Sequence, residues 1–100
     1  MLLTALAAGA SAALFDGQTI GQKGRNFSTL LVHVRRGERL IFINDDTVPH
    51  NVMSLTRNNS FDLGSQMPGT AVPVTFDEAG LVDVICAIHP RMRMSVEVSD

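Results

Sequence analysis

Short runs of alternating apolar and polar residues occupy most of the chain after Phe15. In the run 94–99, every second residue is Met or Val. Successive side chains of a strand point to opposite faces, so this period of two is typical of a strand with one buried face. No 3.6-residue periodicity persists after residue 15, which argues against helices there. The predicted strands are 30–35, 40–44, 51–56, 70–76, 81–86 and 94–99.

Turn signals between these runs indicate the fold class. Gly and polar pairs separate short β-branched runs, the pattern of a β-sandwich or small barrel. Pro73 has no N–H to donate, so its strand is predicted at a sheet edge. Residues 57–69 are rich in Ser, Asn, Gly and Pro and are predicted as a loop between sheets. We therefore predict an all-β chain, folded as a single-domain Greek-key β-sandwich.

Composition excludes several classes of function. One hundred residues allow a single domain, and 45% hydrophobic residues can build a core. One cysteine cannot form an internal disulfide. Eight Lys and Arg against ten Asp and Glu give a net charge of −2, which argues against binding to nucleic acid or docking on anionic lipid.

The first residues differ from the rest of the chain. Residues 1–14 carry no charge and are almost all small or apolar. As a helix the segment would extend only about 20 Å, short of the roughly 30 Å hydrocarbon core of a bilayer, so stable membrane insertion is not expected. Ala10-Ser11-Ala12 fits a small-x-small cleavage site. We predict a signal peptide at 1–12, without the usual basic start, and a mature domain at 13–100; the alternative is an Ala-rich helix.

The residues with metal-binding chemistry lie mainly in one segment near the C-terminus. Cys86, His89 and two methionines, Met92 and Met94, lie where one predicted strand ends and the next begins, and His50 comes after the end of another strand. Thiolate, imidazole and thioether together select copper among the common metals. Two histidines and a cysteine in a plane, with a weak axial methionine, are the ligands of a blue-copper electron-transfer site. One such copper ion is the predicted cofactor.

At these residues the sequence resembles the cupredoxins, the type 1 blue copper proteins, and in particular their amicyanin, plastocyanin and pseudoazurin branch. The resemblance covers about residues 28–98. The motifs that carry it, in order, are Val34-Arg35-Arg36-Gly37, Phe42-Ile43-Asn44-Asp45, Pro49-His50-Asn51-Val52, residues 76–80 and Cys86-x-x-His89-Pro90-x-Met92. It implies that His50, Cys86 and His89 bind copper, and that the Asn51 side chain braces the two ligand loops by hydrogen bonds near Cys86.

The axial ligand is a choice between two methionines. Met92 and Met94 share the parity of the last strand, so alternation does not separate them. Plastocyanin and pseudoazurin have four residues between His and Met, which would select Met94. The shorter spacing of amicyanin, Cys-x-x-His-Pro-x-Met, selects Met92. We predict Met92 as the axial ligand, with Met94 as the alternative.

The predicted function is electron transfer by a monomeric protein that cycles between Cu(II) and Cu(I) and is periplasmic or otherwise exported. In the family, the loop histidine reaches the surface, which makes His89 the expected electron exit. Val48, Pro49, Pro90 and Met92 are expected to form an apolar patch around it, where donor and acceptor proteins bind weakly. Arg91 and Arg93 are either plain surface charges or a basic rim of that patch.

Other interpretations of the same residues remain. A copper carrier without redox cycling would use the same ligands. An enzyme with Cys86 as nucleophile lacks an acid in its own loop to orient the base, and the chain is small for a substrate pocket, so no enzymatic activity is predicted. A sandwich without metal would leave the Cys-His-Met cluster unexplained. His33 is predicted to face solvent, and Asp45 and Asp46 to be solvated turn residues.

Overall fold

A computed structural model describes residues 17–100 and contains nine β-strands. The strands are β1 Gln18–Lys23, β2 Asn26–Phe27, β3 Leu31–Arg35, β4 Arg39–Asn44, β5 His50–Ser54, β6 Phe61–Gln66, β7 Ala71–Thr75, β8 Gly80–Ile85 and β9 Arg93–Ser99. The predicted signal peptide at 1–12 lies outside the described residues. Among those residues, no helix is long and apolar enough to span a membrane.

The strands form two sheets that face each other. One sheet has the order β2-β1-β4-β7, and the other has the order β3-β9-β8-β5-β6. Two strand pairs are parallel, β1 with β4 and β3 with β9, and the remaining pairs are antiparallel. The chain passes from one sheet to the other after β2, β3, β4, β6 and β7. The prediction of an all-β Greek-key sandwich is confirmed.

The core lies between the sheets and follows from the alternation in the sequence. Val82 and Val84 of β8, and Val96 and Val98 of β9, face inward, while their neighbours are more exposed. Aromatic rings extend the same layer. Phe42 contacts Phe27 and Phe61 at centroid distances of 6.4 Å and 6.3 Å, and Phe61 contacts Phe76 at 6.0 Å.

Three chain segments meet at one pole of the sandwich because of the strand directions. β4 ends at this pole and β5 begins there, so the intervening loop, residues 45–49, closes the same end. β8 also ends there, and residues 86–92 lead back into β9. Because β1 runs parallel to β4, the tight β1–β2 turn at residues 24–25 reaches the same pole.

All six predicted strands are present in the structure, and Pro73 lies on the edge strand β7 as expected. The prediction that residues 57–69 form a loop is wrong, since β6 runs through them and pairs with β5. This edge strand holds only Phe61 and Leu63 as partly buried apolar residues, and Gly64 and Gln66 weaken its alternation. Strands β1 and β2 were also not predicted, since Gly and Gln interrupt their apolar pattern.

Candidate metal centre

His50, Cys86 and His89 come together at the pole defined above. One ligand atom from each of them lies within 4.8 Å of the other two. The Sγ of Cys86 is 4.0 Å from the Nδ1 of His89. The rings of His50 and His89 meet edge to face, with centroids 5.2 Å apart. The structure thus brings together the three residues that the sequence predicts as strong metal ligands.

His50 is the first residue of β5, and its side chain is completely buried. Its Nε2 lies 2.9 Å from Oδ2 of Asp46. An ionised carboxylate only accepts hydrogen bonds, so in the neutral ring Nε2 carries the proton and Nδ1 carries the lone pair. Nδ1 is buried, and no hydrogen-bond partner for it is found within residues 17–100. A buried acceptor without a partner costs about 1–3 kcal/mol, which a bound metal ion would offset.

Asp46 orients His50 and was missed by the sequence analysis, which treated it as a solvated turn residue. Its carboxylate also accepts hydrogen bonds from the backbone N–H of Thr47 and of Gly24, at 2.8 Å and 2.9 Å. The hydrogen bond with His50, followed by that with Thr47, lowers the pKa of Asp46 to about 2. A carboxylate that holds the second nitrogen of a ligand histidine fixes both its tautomer and its ring orientation. The i, i+4 spacing to His50 was the available signal in the sequence.

Cys86 follows β8 directly and is also fully buried. Its Sγ accepts a hydrogen bond from the backbone N–H of Asn51 at 3.3 Å. Its own N–H donates to the carbonyl of Met92 at 3.1 Å, and the N–H of Met92 donates to the carbonyl of His89 at 2.8 Å. The ligand loop is therefore closed on itself by backbone hydrogen bonds. The N–H···S bond ties the sulfur of Cys86 to the start of β5.

Asn51 connects the two ligand loops. Its Oδ1 accepts from the N–H of Ala87 at 3.0 Å, next to Cys86. Its Nδ2 donates to Oδ1 of Asp62 at 2.7 Å and to the carbonyl of Gly64 at 2.9 Å, both in β6. These hydrogen bonds are the contacts that the predicted bracing role requires.

Met92 and Met94 are both buried, with exposed fractions of 1% and 3%. The prediction that Met92 contributes to a surface patch is therefore wrong, since its side chain points into the molecule. Ile88, which is 52% exposed, supplies apolar surface in the same loop instead. Pro90, Val48 and Pro49 are exposed as expected.

His33 lies away from this centre. Its side chain is 69% exposed, and its Nδ1 lies 2.8 Å from Oε1 of Glu97 on the outer face of the β3–β9 pair. The prediction that it faces solvent is confirmed.

The donor set fits a copper ion in size and chemistry. Zinc, a divalent ion similar in size to copper, lies about 2.0 Å from imidazole nitrogen and about 2.3 Å from thiolate sulfur. The two bonds together can therefore bridge about 4.3 Å, slightly more than the 4.0 Å between Sγ of Cys86 and Nδ1 of His89. Nitrogen and soft sulfur donors at one buried point favour copper over hard ions such as Mg²⁺ or Ca²⁺.

Comparison with known proteins decides the family. The model of the family described as copper binding proteins, plastocyanin/azurin family, matches residues 17–99. The chain belongs to this family. The prediction of a cupredoxin with copper as its cofactor is confirmed at that level, and His50, Cys86 and His89 are positioned for a type 1 site. The assignment of each residue as a ligand stays a prediction.

Individual cupredoxins show the same relationship. The chain is 30% identical to amicyanin from Paracoccus versutus over 86 residues, which is 83% of this chain and 65% of the relative. It is 32% identical to amicyanin from Paracoccus denitrificans over 93 residues, 89% of this chain and 71% of the relative. The chain thus spans about two thirds of the length of these relatives. The crystal structure of amicyanin from Paracoccus versutus superposes with a TM-score of 0.77 at 30% identity, covering 84% of this chain and 82% of that one.

Proposed function

We propose that this cupredoxin is a blue-copper electron carrier, with His50, Cys86 and His89 as equatorial ligands and Met92 as the axial ligand. Copper bound there would supply one-electron chemistry by alternating between Cu(II) and Cu(I). The proposal depends on one observation: Nδ1 of His50 is buried and has no hydrogen-bond partner among the described residues. The other nitrogen of the same ring is held by Asp46. Beside this ring lie the sulfur of Cys86 and the ring of His89.

The register of β8 and β9 supports Met92 over Met94. Met94 is the partner of Val84, and the hydrogen bond from the N–H of Cys86 to the carbonyl of Met92 continues this ladder by one more pair. Directly opposed residues of antiparallel strands place their side chains on the same face, about 5 Å apart. Met92 therefore lies beside Cys86, whereas Met94 lies two pairs farther along the ladder, opposite Val84.

The hydrogen bonds around the site keep the protein ligands in place during a change of oxidation state. Asp46 holds the ring of His50, and Asn51 ties the Cys86 loop to β6. Both loops are anchored in strands of the sandwich. A site that barely rearranges on gaining an electron has a small reorganisation cost, which favours electron transfer over release of the metal.

We propose that the electron passes through His89. It is half-buried, whereas His50 and Cys86 have no exposed surface. The exposed side chains of Ile88 and Pro90 adjoin it in sequence and give a partner protein apolar surface to contact. Weak, transient binding of a donor and an acceptor needs only a small contact area.

Substrate conversion is not part of the proposal, although one element of a catalytic triad is present. Asp46 orients His50 as an acid would orient a general base, which the sequence analysis had not expected. However, Cys86 and His50 are both fully buried, so a substrate cannot reach the sulfur. A nucleophile must contact the atom that it attacks.

We further propose that the protein is exported and acts as a monomer. The uncharged segment 1–12 and its small-x-small end support export, because both are features of a cleavable signal peptide. In protein from the native host, N-terminal sequencing should find Ala13 as the first residue, and cell fractionation should locate the protein outside the cytoplasm. Sedimentation analysis should give the mass of one chain.

An absorption spectrum with one equivalent of Cu(II), together with metal analysis, tests the function. We expect an intense visible band from thiolate-to-copper charge transfer, one copper per chain and a reversible potential in voltammetry. Cys86→Ser should abolish the band. Ser54→Ala, a control at the far end of β5 from His50, should retain it. A visible band that survives Cys86→Ser would reject the ligand assignment. Colourless protein that binds only Cu(I) and passes it rapidly to a chelator would favour the copper-carrier alternative.

A further inference from the structure

An open groove of about 460 Å³ lies against His89. One wall is the β1–β2 turn, residues 24–26, and the other is residues 88–91 of the ligand loop. The two walls are far apart in sequence and meet because β1 runs parallel to β4 and so ends at the metal pole. We call this feature the His89 groove.

The His89 groove carries positive charge on a chain whose net charge is −2. Arg25 and Arg91 stand on opposite walls, both exposed, and none of the lining residues is acidic. Within residues 17–100, no carboxylate forms an ion pair with either arginine. Asp46 contacts the turn at the N–H of Gly24, but its carboxylate is shared with His50 and Thr47. The two guanidinium groups are thus available to an external anion.

The backbone conformation at Arg25 disfavours an arginine, which indicates that its side chain has a role there. Gly24 and Arg25 have φ values of 62° and 63°, the left-handed conformation that a two-residue type I′ turn requires. Gly or Asn adopts it easily, whereas an arginine is disfavoured because its Cβ approaches the following carbonyl oxygen. Strain of this kind persists where the surrounding structure or a function maintains it. A glycine here would relieve the backbone but remove a charge beside His89.

We infer that the His89 groove binds acidic side chains of the redox protein that exchanges electrons with this chain, with Arg25 and Arg91 each pairing a carboxylate. The inference rests on the proposed function and specifies the chemistry of the partner at the same site. Two arginines on opposite walls match carboxylates, to which guanidinium donates paired hydrogen bonds. Their field also raises the rate of encounter with an acidic protein, an effect that salt suppresses.

The first test is binding of hexaglutamate to the ¹⁵N-labelled full chain, with and without Cu(I), followed by NMR at low and high salt. At low salt, the amides of Gly24, Arg25, Ile88 and Arg91 should shift and saturate. Arg25→Gly should weaken binding about 2- to 5-fold, the range for one exposed ion pair, and high salt should abolish the difference. Because glycine suits the turn, Arg25→Gly should melt no lower than the parent chain.

The second test uses small oxidants of opposite charge with the Cu(I)-loaded protein. Oxidation by hexacyanoferrate(III), an anion, should slow in Arg25→Gly, whereas oxidation by a cationic cobalt(III) phenanthroline complex should not. Arg57→Gly is the matched control, because Arg57 is exposed in the β5–β6 turn at the opposite pole. It removes the same charge and should leave both rates and peptide binding unchanged.

Five outcomes would overturn the inference. Equal peptide affinity in the parent, Arg25→Gly and Arg57→Gly would do so, as would shifts that map elsewhere. Binding to phosphatidylglycerol vesicles without binding to the peptide would assign the groove to a membrane. Peptide binding by a chain that forms no blue copper centre would reject the proposed function, and with it a redox partner. If electron transfer occurs but Arg25→Gly has no effect, only the inference fails.

Discussion

At the residue scale, substitutions of Met92 and Met94 should differ sharply in their effects on the copper centre and on stability. If Met92 is the axial ligand, Met92→Gln replaces a thioether by an amide oxygen, a harder donor that favours Cu(II). The visible spectrum should shift and the reduction potential should fall. Met94→Gln should leave both nearly unchanged but reduce the free energy of unfolding by about 1–3 kcal/mol, because it buries an amide in the core. Voltammetry and urea unfolding of both variants measure this, and the reverse pattern would assign Met94.

Asp46 should tune the centre through His50. Asp46→Asn removes the negative charge that holds the proton on Nε2, which makes the ring a poorer donor to the metal. We expect copper affinity to fall about 10- to 100-fold, the usual range for a partner of a ligand histidine, and the potential to rise. Competition with a chelator and voltammetry measure these effects. Asp45→Asn, on the exposed neighbouring residue, is the control, and an equal change there would contradict a specific role.

Asp62 should make stability depend on pH in the acid range. Hydrogen bonds from the N–H of Gly64 and then from Asn51 lower the pKa of Asp62 below its ordinary value of 3.8. The unfolded chain therefore binds the proton more readily, so the stabilisation is complete above pH 3.8 and is lost as the pH falls through the lower folded pKa. Urea unfolding of metal-free protein should show a smaller loss between pH 6 and pH 3 in Asp62→Asn than in the parent. Asp77→Asn, an exposed control, should behave like the parent.

At the scale of the elements, β6 supports the site by joining the two sheets. Gln66 is buried in β6, and its Nε2 donates to the carbonyls of Phe42 and Thr70, each at 2.8 Å. Its Oε1 accepts from Nε2 of the buried Gln22 in β1, also at 2.8 Å. A strand at the edge of one sheet is thereby fixed to the backbone of the other.

Gln66→Ala would leave Nε2 of Gln22 and the carbonyl of Phe42 without this partner. Each buried polar group left unsatisfied costs about 1–3 kcal/mol, so the free energy of unfolding should fall by at least that amount. Ser65→Ala changes the exposed neighbour in the same strand and should cost little. Urea unfolding of the two variants compares them, and equal midpoints would show that Gln66 does not join the sheets energetically.

At the scale of the whole molecule, copper should stabilise the fold. The three proposed ligands lie at the start of β5 and in the loop before β9, and only the folded sandwich brings them together. The native state should therefore bind the metal far more tightly than the unfolded chain. Free copper at 100 times the dissociation constant should add about 2.7 kcal/mol to the free energy of unfolding, reduced by any binding to unfolded Cys and His. Thermal unfolding with and without copper measures this. Cys86→Ser should lose most of the effect.

Most strands of the sandwich could be predicted because burial of one face makes apolar residues recur at every second position. Inward residues of β8 and β9 alternate in the sequence as they do in the structure, and six strands were located in this way. Cys86, His89 and Met92 were recognisable because one short loop holds them. β6 escaped prediction because an edge strand buries few side chains, so the sequence contains little alternation to detect.

The sequence alone thus determined the β-class of the fold, the resemblance to cupredoxins and the candidate donor set, since alternation and the spacing of candidate ligands are local properties of the chain. Only the tertiary structure decided which groups surround those donors. Asp46 reaches His50, Asn51 reaches Ala87, and Arg25 reaches the groove beside His89 because strands distant in sequence end at the same pole. Contacts of this kind depend on sheet order and direction, which follow from the packing of the whole core.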